Sequence, residues 1–217
     1  MRRLWTCLPL LVLPVLAHAQ SALDVNANFG GAFDSATGPG IDNLNSPNAL
    51  GVCLPRSADA FCQATSKLSG FFLGFGGDIM FRKQLGIGAE VNFQPVHHDY
   101  GPLRSRQTFI DVNGIYEPII TKRSIVQLQC GLGSAKTSFT ISQNACVGTA
   151  VCTKQVSSLG SANHFQLHFG AGVQIPITDR FFIRPQFDLH YVPNFTDQYG
   201  SNWVPAATVA VGYHFGE

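Results

Sequence analysis

The sequence lacks a long hydrophobic run after its first twenty residues, so it offers no candidate for a membrane-spanning helix. Such a helix needs about 20 consecutive apolar residues, and no later segment of the 217 residues approaches that length. If this chain lies in a membrane, it must cross the membrane as strands.

Charge is also scarce. Charged residues make up 12% of the chain and the formal net charge is +1. An electrostatic case for nucleic-acid binding needs a marked basic excess, so we expect no nucleic-acid partner.

The N-terminus reads as an export signal. A basic start, Arg2-Arg3, precedes an apolar run over residues 8–16 and the small-residue site Ala17-His18-Ala19. This order predicts a signal peptide over residues 1–19, cleaved after Ala19. Residues 20–217 suit a single domain by length.

Few cysteines are present, and one of the six, Cys7, lies in the predicted signal peptide. Export implies an oxidising compartment, where local cysteine pairs usually form disulfides. We expect Cys53 to bond Cys62 and Cys146 to bond Cys152, each as a loop staple without a redox or metal role. Cys130 falls on the apolar face of a strand and should be an inert free thiol.

What the chain does contain is a repeated alternation of apolar and polar residues. One face of each stretch is apolar and nearly uncharged, and the other carries Asp, Glu, Arg, His, Asn, Gln and Gly. Strands with lipid on one side and a polar lumen on the other have this pattern. It predicts an all-β fold, an eight-stranded antiparallel up-and-down transmembrane β-barrel. The eight predicted strands cover residues 23–33, 71–81, 85–94, 107–116, 125–135, 164–175, 181–191 and 203–215.

Long connections alternate with short ones along the chain. Long or polar segments cover residues 34–69, 97–106, 136–163 and 192–201, and the remaining turns are shorter. With both termini on the short-turn side, this is the organisation of outer-membrane barrels. We also expect Pro185, in the middle of a strand, to mark a bulge or kink.

Aromatic residues cluster near the predicted strand ends, as they do in the two girdles of membrane barrels. The alternative explanation, given less weight, is the general enrichment of aromatics in strands. A soluble lipocalin-like barrel, with the faces inverted, is the structural rival. The long uncharged face favours lipid, because exposed strands of soluble barrels usually carry charge. The aromatic positions are Phe33, Phe71, Phe165, Tyr191 and Trp203 at one end and Phe81, Tyr116, Phe181, Tyr213 and Phe215 at the other.

On this pattern the chain resembles the small OmpA-like and OmpX-like outer-membrane barrels of Gram-negative bacteria, often labelled porin-family barrels. The most specific element is the last strand, which ends Val209-Ala210-Val211-Gly212-Tyr213-His214-Phe215 and is followed by Gly216 and Glu217. The resemblance implies a bacterial outer-membrane location, contact with outer-membrane lipids, and recognition of this strand by the barrel assembly machinery. No peptidoglycan-binding domain is expected after the barrel.

The predicted lumen should hold a charged network. An eight-stranded barrel is just wide enough inside for its own side chains, and buried charges persist only when paired. We therefore expect Arg184 to bridge at least one lumen carboxylate, in a self-satisfied polar core or, alternatively, a narrow conduit. The predicted network consists of Asp78, Glu90, Asp111, Arg184, Asp188 and His168.

Four histidines, His164, His168, His190 and His214, face inward in this register. Folding the hairpin about Thr178 would bring His168 level with Asp188 and His190 level with Gln166. Such a pair could sense pH or bind metal, but a satisfied core histidine is the usual case. The adjacent donors His97-His98-Asp99 point apart on an extended chain. No metal or cofactor is predicted.

Some small outer-membrane barrels modify lipid A, which requires a Ser or oxyanion site with a His base near the lipid interface. The predicted outer faces hold no such pair, so we expect no enzyme. The long loops, on a rigid scaffold, are the sites for recognition. A structural, adhesion or envelope-interaction role through these loops, with a possible surface ligand, is the leading hypothesis. A narrow or gated porin-like channel for small solutes is the alternative.

Overall fold

The computed structural model describes residues 22–35, 68–100, 103–147, 151–197 and 199–216. Within them lie nine β-strands and a short 3₁₀ helix, Phe195–Asp197. The strands are β1 (Ala22–Ala32), β2 (Phe71–Arg82), β3 (Leu85–Phe93), β4 (His98–Tyr100), β5 (Leu103–Ile120), β6 (Ile125–Val147), β7 (Val151–Pro176), β8 (Phe181–Tyr191) and β9 (Trp203–Phe215). No helix in the described ranges is long and apolar enough to cross a membrane.

Eight of the strands close into an antiparallel barrel. Each pairs with its neighbour in sequence, β3 pairs with β5, and β1 pairs with β9 to complete the ring. The three-residue strand β4 pairs with β5 outside this ring. Closure satisfies the backbone hydrogen bonds of the spanning strands, which the hydrocarbon region demands. The predicted up-and-down eight-stranded barrel is confirmed.

The apolar face of the barrel is the outer one. Phe75 and Leu132 are each 58% exposed, whereas Asp111 and Arg184 are 1% exposed in the lumen. The inverted, lipocalin-like arrangement is therefore wrong for this chain, because its charged residues would face outward. Cys130 is exposed on this outer face as a free cysteine.

Exposed aromatic side chains form a band at each end of the outer face. Tyr191 and Trp203 pack at 4.6 Å between ring centroids at the long-loop end, and Tyr213 packs at 4.6 Å on Phe215 at the other. A membrane-barrel strand rises about 3.3 Å per residue and is tilted by about 40° from the barrel axis. The strand from Phe181 to Tyr191 therefore covers roughly 25 Å along the barrel axis. That height matches the apolar band of outer-membrane barrels.

The predicted loop over residues 136–163 is a hairpin, which is the largest correction to the sequence prediction. The ladder between β6 and β7 continues from Lys136↔Asn163 to Val147↔Val151. At about 3.3 Å per residue this extension is roughly 36 Å long. The prediction missed it because both faces of the extension are rich in Ser, Thr, Asn and Gln, so the apolar-polar alternation stops at the barrel rim. Strand β5 likewise begins at Leu103 and not at residue 107.

A three-residue turn would pair Phe81 with Leu85 and keep both apolar faces on the same side. A bulge at Phe81 instead leaves Arg82 opposite Leu85, and the turn consists of Lys83 and Gln84. The ladder between β7 and β8 is interrupted at Pro185, but Gly172↔Gln186 and Ile175↔Ile183 keep the same register on either side, so the bulge, one of the two predicted features, is absent. The missing proline N–H is tolerated without a bulge.

A charge placed on the outer face should discriminate lipid from water. We expect Leu132→Arg to lower the free energy of unfolding by about 2–4 kcal/mol, since its position lies well inside the apolar band. Val156→Arg is the matched control, because Val156 is also exposed but lies on the hairpin beyond the aromatic band. Reversible urea unfolding in phospholipid vesicles, followed by gel mobility, measures both; equal stability losses would contradict a lipid-facing Leu132.

Candidate functional site in the barrel lumen

The lumen is filled by buried polar side chains from seven strands of the ring, β1, β2, β3, β5, β6, β7 and β8. Phe72, Phe109, Ile115 and Phe182 are large apolar side chains that are also buried inside the ring. The fully or nearly buried polar residues include Asp24, Asn26, Asp78, Glu90, Asn92, Gln107, Asp111, Asn113, Gln127, Gln129, Gln166, His168, Arg184, Gln186, Asp188 and His190. All six residues of the predicted network lie among them.

Each of three lumen aspartates lies opposite a glycine on the neighbouring strand. The register pairs Asp78 with Gly88, Asp111 with Gly133, and Asp188 with Gly170. A Cβ atom at Gly133 would clash with Asp111 Oδ1 and with the backbone oxygen of Ile110. These glycines leave the space that the carboxylates occupy. The sequence analysis did not recognise this pairing of aspartate with glycine.

Arg184 forms the charged centre of the lower lumen. Its Nη1 donates to Asp78 Oδ2 at 2.7 Å and also to Gln127 Oε1. The bridge to a lumen carboxylate is the contact that the sequence led us to expect. Gln127 Nε2 in turn donates to Glu117 Oε1 at 3.4 Å.

A relay of amide groups leads from Arg184 to His168. Gln127 Oε1 also accepts from Gln129 Nε2 at 3.0 Å, and Gln129 Oε1 accepts from Asn113 Nδ2 at 3.3 Å. Asn113 Oδ1 then lies 2.8 Å from His168 Nδ1. Because a guanidinium only donates, it fixes the orientation of each amide in turn. At the end of the relay Asn113 Oδ1 is an acceptor, so His168 must carry a proton on Nδ1.

His168 connects two carboxylates. Its Nε2 lies 3.0 Å from Asp188 Oδ1 and 3.9 Å from Glu90 Oε1. The register differs from the prediction, since His168 pairs with His190 and Asp188 with Gly170. The β7–β8 hairpin is centred one residue after the predicted Thr178, so each cross-strand partner is shifted by two positions from the predicted one. The diagonal contact between His168 and Asp188 forms nevertheless.

Two pairs of carboxylates stand directly opposite each other, which the sequence prediction missed. Glu90 is the cross-strand partner of Asp111, and Asp24 is the partner of Asp78. Like charges in such positions are destabilising. Donors offset the repulsion: Gln166 Nε2 donates to Asp111 Oδ1 at 2.6 Å, and His214 Nδ1 hydrogen-bonds Asp24 Oδ1.

The imidazoles form part of a stack that leads toward the long-loop end. His168 packs on His190 at 4.8 Å, and His190 packs on Phe109 at 4.4 Å between ring centroids. Phe72 continues the stack at 5.9 Å from Phe109. His164 lies higher, half-buried, with its ring edge-on to Phe195 at 5.9 Å.

An apolar plug covers the lumen at the long-loop end. The connection between β8 and β9 folds inward, and its Val192, Phe195 and Tyr199 are completely buried in one cluster with Leu68 and Phe72. Burial raises the pKa of Asp34, beside this plug, to about 6. The same cause raises the pKa of the Tyr199 phenol above its usual range. Part of the predicted surface loop 192–201 is therefore a lid packed into the barrel mouth.

At the short-turn end the lumen opens into a cavity of about 1110 Å³. Asp24, Glu117 and His214 lie in its wall, and the turn residues Arg82 and Arg180 line it too. Above it lie the Arg184–Asp78 pair and the carboxylate cluster. The cavity is thus a vestibule below a filled lumen.

A serine and a histidine do meet at the long-loop end, although the sequence indicated no such pair. Ser69 Oγ lies 3.2 Å from His98 Nε2, and both residues are half-buried. A nucleophilic serine also needs a group that orients the histidine base. No carboxylate contacts His98 in the residues that the structure describes, and the Ser69 carbonyl instead accepts from Gln94 Nε2 at 2.8 Å. The pair therefore anchors β4 beside β2.

The predicted disulfides have different outcomes. Cys53 and Cys62, like the predicted signal peptide, lie outside the described residues. Cys146 is the cross-strand partner of Cys152 near the tip of the β6–β7 hairpin. That backbone register brings the two positions together, and their disulfide stays a prediction.

This closed barrel, with an apolar exterior and a polar core, defines an outer-membrane β-barrel. The sequence matches the outer membrane protein beta-barrel domain family over residues 5–215, and the chain belongs to that family. A search among curated proteins finds no significant match.

Solved outer-membrane proteins have a similar fold. Ail, the attachment invasion locus protein of Yersinia pestis, solved with the heparin analogue sucrose octasulfate, is 12% identical with a TM-score of 0.52; the alignment covers 90% of this chain and 99% of Ail. OprG from Pseudomonas aeruginosa is 14% identical with a TM-score of 0.51, over 92% of this chain and 98% of OprG. At these identities the likeness establishes the fold alone.

The aspartate–glycine pairs predict that alanine lowers stability more at an inward-facing glycine than at a lipid-facing one. Gly133→Ala should destabilise the barrel by about 1–3 kcal/mol, because its Cβ would clash with the Ile110 backbone oxygen and with the Asp111 carboxylate to which Gln166 donates. Gly114→Ala is the control: it faces lipid and its Cβ would meet Cys130 O at an ordinary 3.6 Å. Urea unfolding of both variants in vesicles measures the difference. Equal stabilities would show that the glycine is not needed for the carboxylate.

Proposed function

We propose that this protein is an outer-membrane surface protein that binds an anionic partner through a projecting sheet. The projecting sheet consists of β4, the start of β5 (residues 103–108) and the β6–β7 hairpin (residues 136–163). This is a specific form of the adhesion or envelope-interaction role expected from the sequence. The short-turn side then faces the periplasm and the projecting sheet faces outward, as in other outer-membrane barrels.

The length and regularity of the projecting sheet carry the proposal. Its β6–β7 ladder extends roughly 36 Å beyond the barrel at about 3.3 Å per residue, while β5 pairs with β6 as far as Leu103↔Ile141. A disordered loop would lose conformational freedom on binding, whereas the backbone of a paired hairpin is already ordered. Such an extension is not needed to span lipid.

The charge of the projecting sheet favours an anionic partner. Arg104, Arg106, Lys136 and Lys154 lie in its sequence, with Asp99 as its acidic residue. Arg106 lies 5.6 Å from the Phe93 ring centroid, so that aromatic ring helps to position the guanidinium. Basic groups repeated along an ordered sheet suit a polyanion such as a sulfated polysaccharide. The complex of Ail with a heparin analogue suggests the probe.

The filled lumen supports a function at the surface. Arg184, His168 and Gln166 have no appreciable solvent exposure, and the plug covers the long-loop mouth. An enzymatic role has no support beyond the Ser69–His98 contact, which lacks an orienting carboxylate in the described residues. For assembly we propose that the barrel assembly machinery recognises β9, which ends at Phe215, and that outer-membrane lipids contact the apolar band.

Binding to heparin tests the proposed function. Vesicles with the refolded protein should bind a heparin-coated sensor and lose affinity steeply between low and high salt, because counterions compete for the basic groups. A variant with residues 140–158 replaced by a two-residue Asn-Gly turn should fold but bind less, because it loses Lys154 and the outer part of the sheet. Arg106→Gln with Lys136→Gln should weaken binding in the same direction, and Arg180→Gln, at the opposite end, is the charge control. Equal binding by the truncated and full-length proteins would contradict the proposal.

The second candidate function is a narrow or gated channel, which the vestibule at the short-turn end favours. Single-channel conductance distinguishes the two functions. We expect a folded but silent barrel in planar bilayers, with folding confirmed by heat-modifiable gel mobility. Stable conductance that changes in Arg184→Ala would make the lumen a solute pathway instead. Conductance unaffected by that variant would point to leakage around a poorly inserted barrel.

A further inference from the structure

We propose that Glu90, His168 and Asp188 bind one divalent transition-metal cation, such as Zn²⁺, inside the barrel. One ligand atom from each residue lies within 4.8 Å of the other two, and all three side chains are buried. A small contraction would bring the three atoms to about 2.0–2.2 Å from a shared ion. The residues come from β3, β7 and β8, which face one another across the lumen.

The amide relay leaves His168 Nε2 as the ligand atom. Asn113 Nδ2 donates to Gln129, so Asn113 Oδ1 must accept from His168 Nδ1. A neutral His168 with this tautomer presents the Nε2 lone pair to Asp188 Oδ1 at 3.0 Å. Two lone pairs at that distance repel, so a positive species, either a proton or a metal ion, must lie between them.

The charges of the lumen favour the metal ion. Arg184 pairs with Asp78, and His214 pairs with Asp24. Glu117 lies at the vestibule, where Gln127 donates to it. The carboxylates of Glu90, Asp111 and Asp188 remain in the centre of the lumen, with His168 and His190 as their imidazole neighbours. One proton on His168 offsets a single carboxylate, whereas a divalent ion offsets both Glu90 and Asp188. Uncompensated carboxylates are costly in a buried site.

Each proposed ligand also has a hydrogen-bond partner that would orient it. Asn113 accepts from His168, Asn92 Nδ2 donates to Glu90 Oε1 at 3.3 Å, and Gln186 Nε2 donates to Asp188 Oδ1 at 2.7 Å. Orienting contacts of this kind are typical of metal ligands. One imidazole with two carboxylates suits Zn²⁺ or Mn²⁺, whereas Ca²⁺ and Mg²⁺ prefer oxygen ligands alone.

Two buried atoms beside the three ligands have no hydrogen-bond partner within the described part of the chain. Asp111 Oδ2 and His190 Nδ1 lie 3.9 Å apart, and both residues are almost completely buried. Asp111 stands opposite Glu90 in the ladder, and His190 stacks on His168. Asp111 Oδ2, a carboxylate oxygen like two of the three proposed ligands, is the candidate for a fourth ligand.

Metal content of the refolded, tag-free protein tests the site. The barrel is refolded in detergent micelles with Zn²⁺ present, desalted against a weak chelator, and assayed by elemental mass spectrometry. We expect about one Zn²⁺ per barrel. His168→Gln and Glu90→Gln should reduce that content to background. Asn113→Ala should weaken Zn²⁺ affinity about 10- to 100-fold, because it removes the partner of Nδ1–H.

His214→Gln is the matched control, since it removes another histidine–carboxylate pair at the vestibule and should leave Zn²⁺ content unchanged. X-ray absorption at the zinc edge of the wild-type protein should show one imidazole and oxygen ligands, a readout that does not require the variants to fold. Wild-type protein without bound Zn²⁺, or equal Zn²⁺ in wild type and folded His168→Gln, would overturn the proposal. Two or more imidazoles on the zinc would instead assign the ion to another site, such as His97-His98, and also overturn it.

Discussion

The buried guanidinium of Arg184 determines the organisation of the lumen. It pairs with Asp78 and, because it has only donors, orients Gln127, then Gln129, then Asn113. The direction of every hydrogen bond in this relay, which passes through β8, β6 and β5 to β7, follows from one side chain. Removing it would leave Asp78 unpaired and the amide orientations undetermined, and an unpaired buried charge is among the costlier defects.

The same packing confines solute access and so bears on function. An eight-stranded ring has an interior just large enough for side chains, and here polar side chains fill it below an apolar plug. The vestibule reaches only the lower part of this network. The lumen therefore accounts for the rigidity of the scaffold, while the projecting sheet supplies accessible chemistry. A rigid barrel is a suitable base for such a sheet, because strands continuous with the ring need no hinge.

The sequence predicted the ring of strands, the outward apolar face and the inward charged residues because a two-residue period is visible wherever lipid and lumen differ. It could not predict the hairpin extension, where water meets both faces. It also missed the pairs Glu90–Asp111 and Asp24–Asp78. Long connections join these strands, so no turn fixes their register. The contact between His168 and Asp188 was predicted from an incorrect register. It forms between two residues that are diagonal neighbours in the ladder, not directly opposite each other.

Glycine positions would have supplied part of the missing register. In so narrow a lumen a large inward side chain needs a small neighbour, and Asp78, Asp111 and Asp188 each face a glycine across the ladder. Asn92 faces Gly74, Asn113 faces Gly131, and Phe182 faces Gly212 in the same way. An inward glycine therefore marks the row in which the adjacent strand carries a large side chain. Strand pairing in small barrels is thus encoded by size complementarity across the lumen, in addition to the alternation of apolar and polar residues.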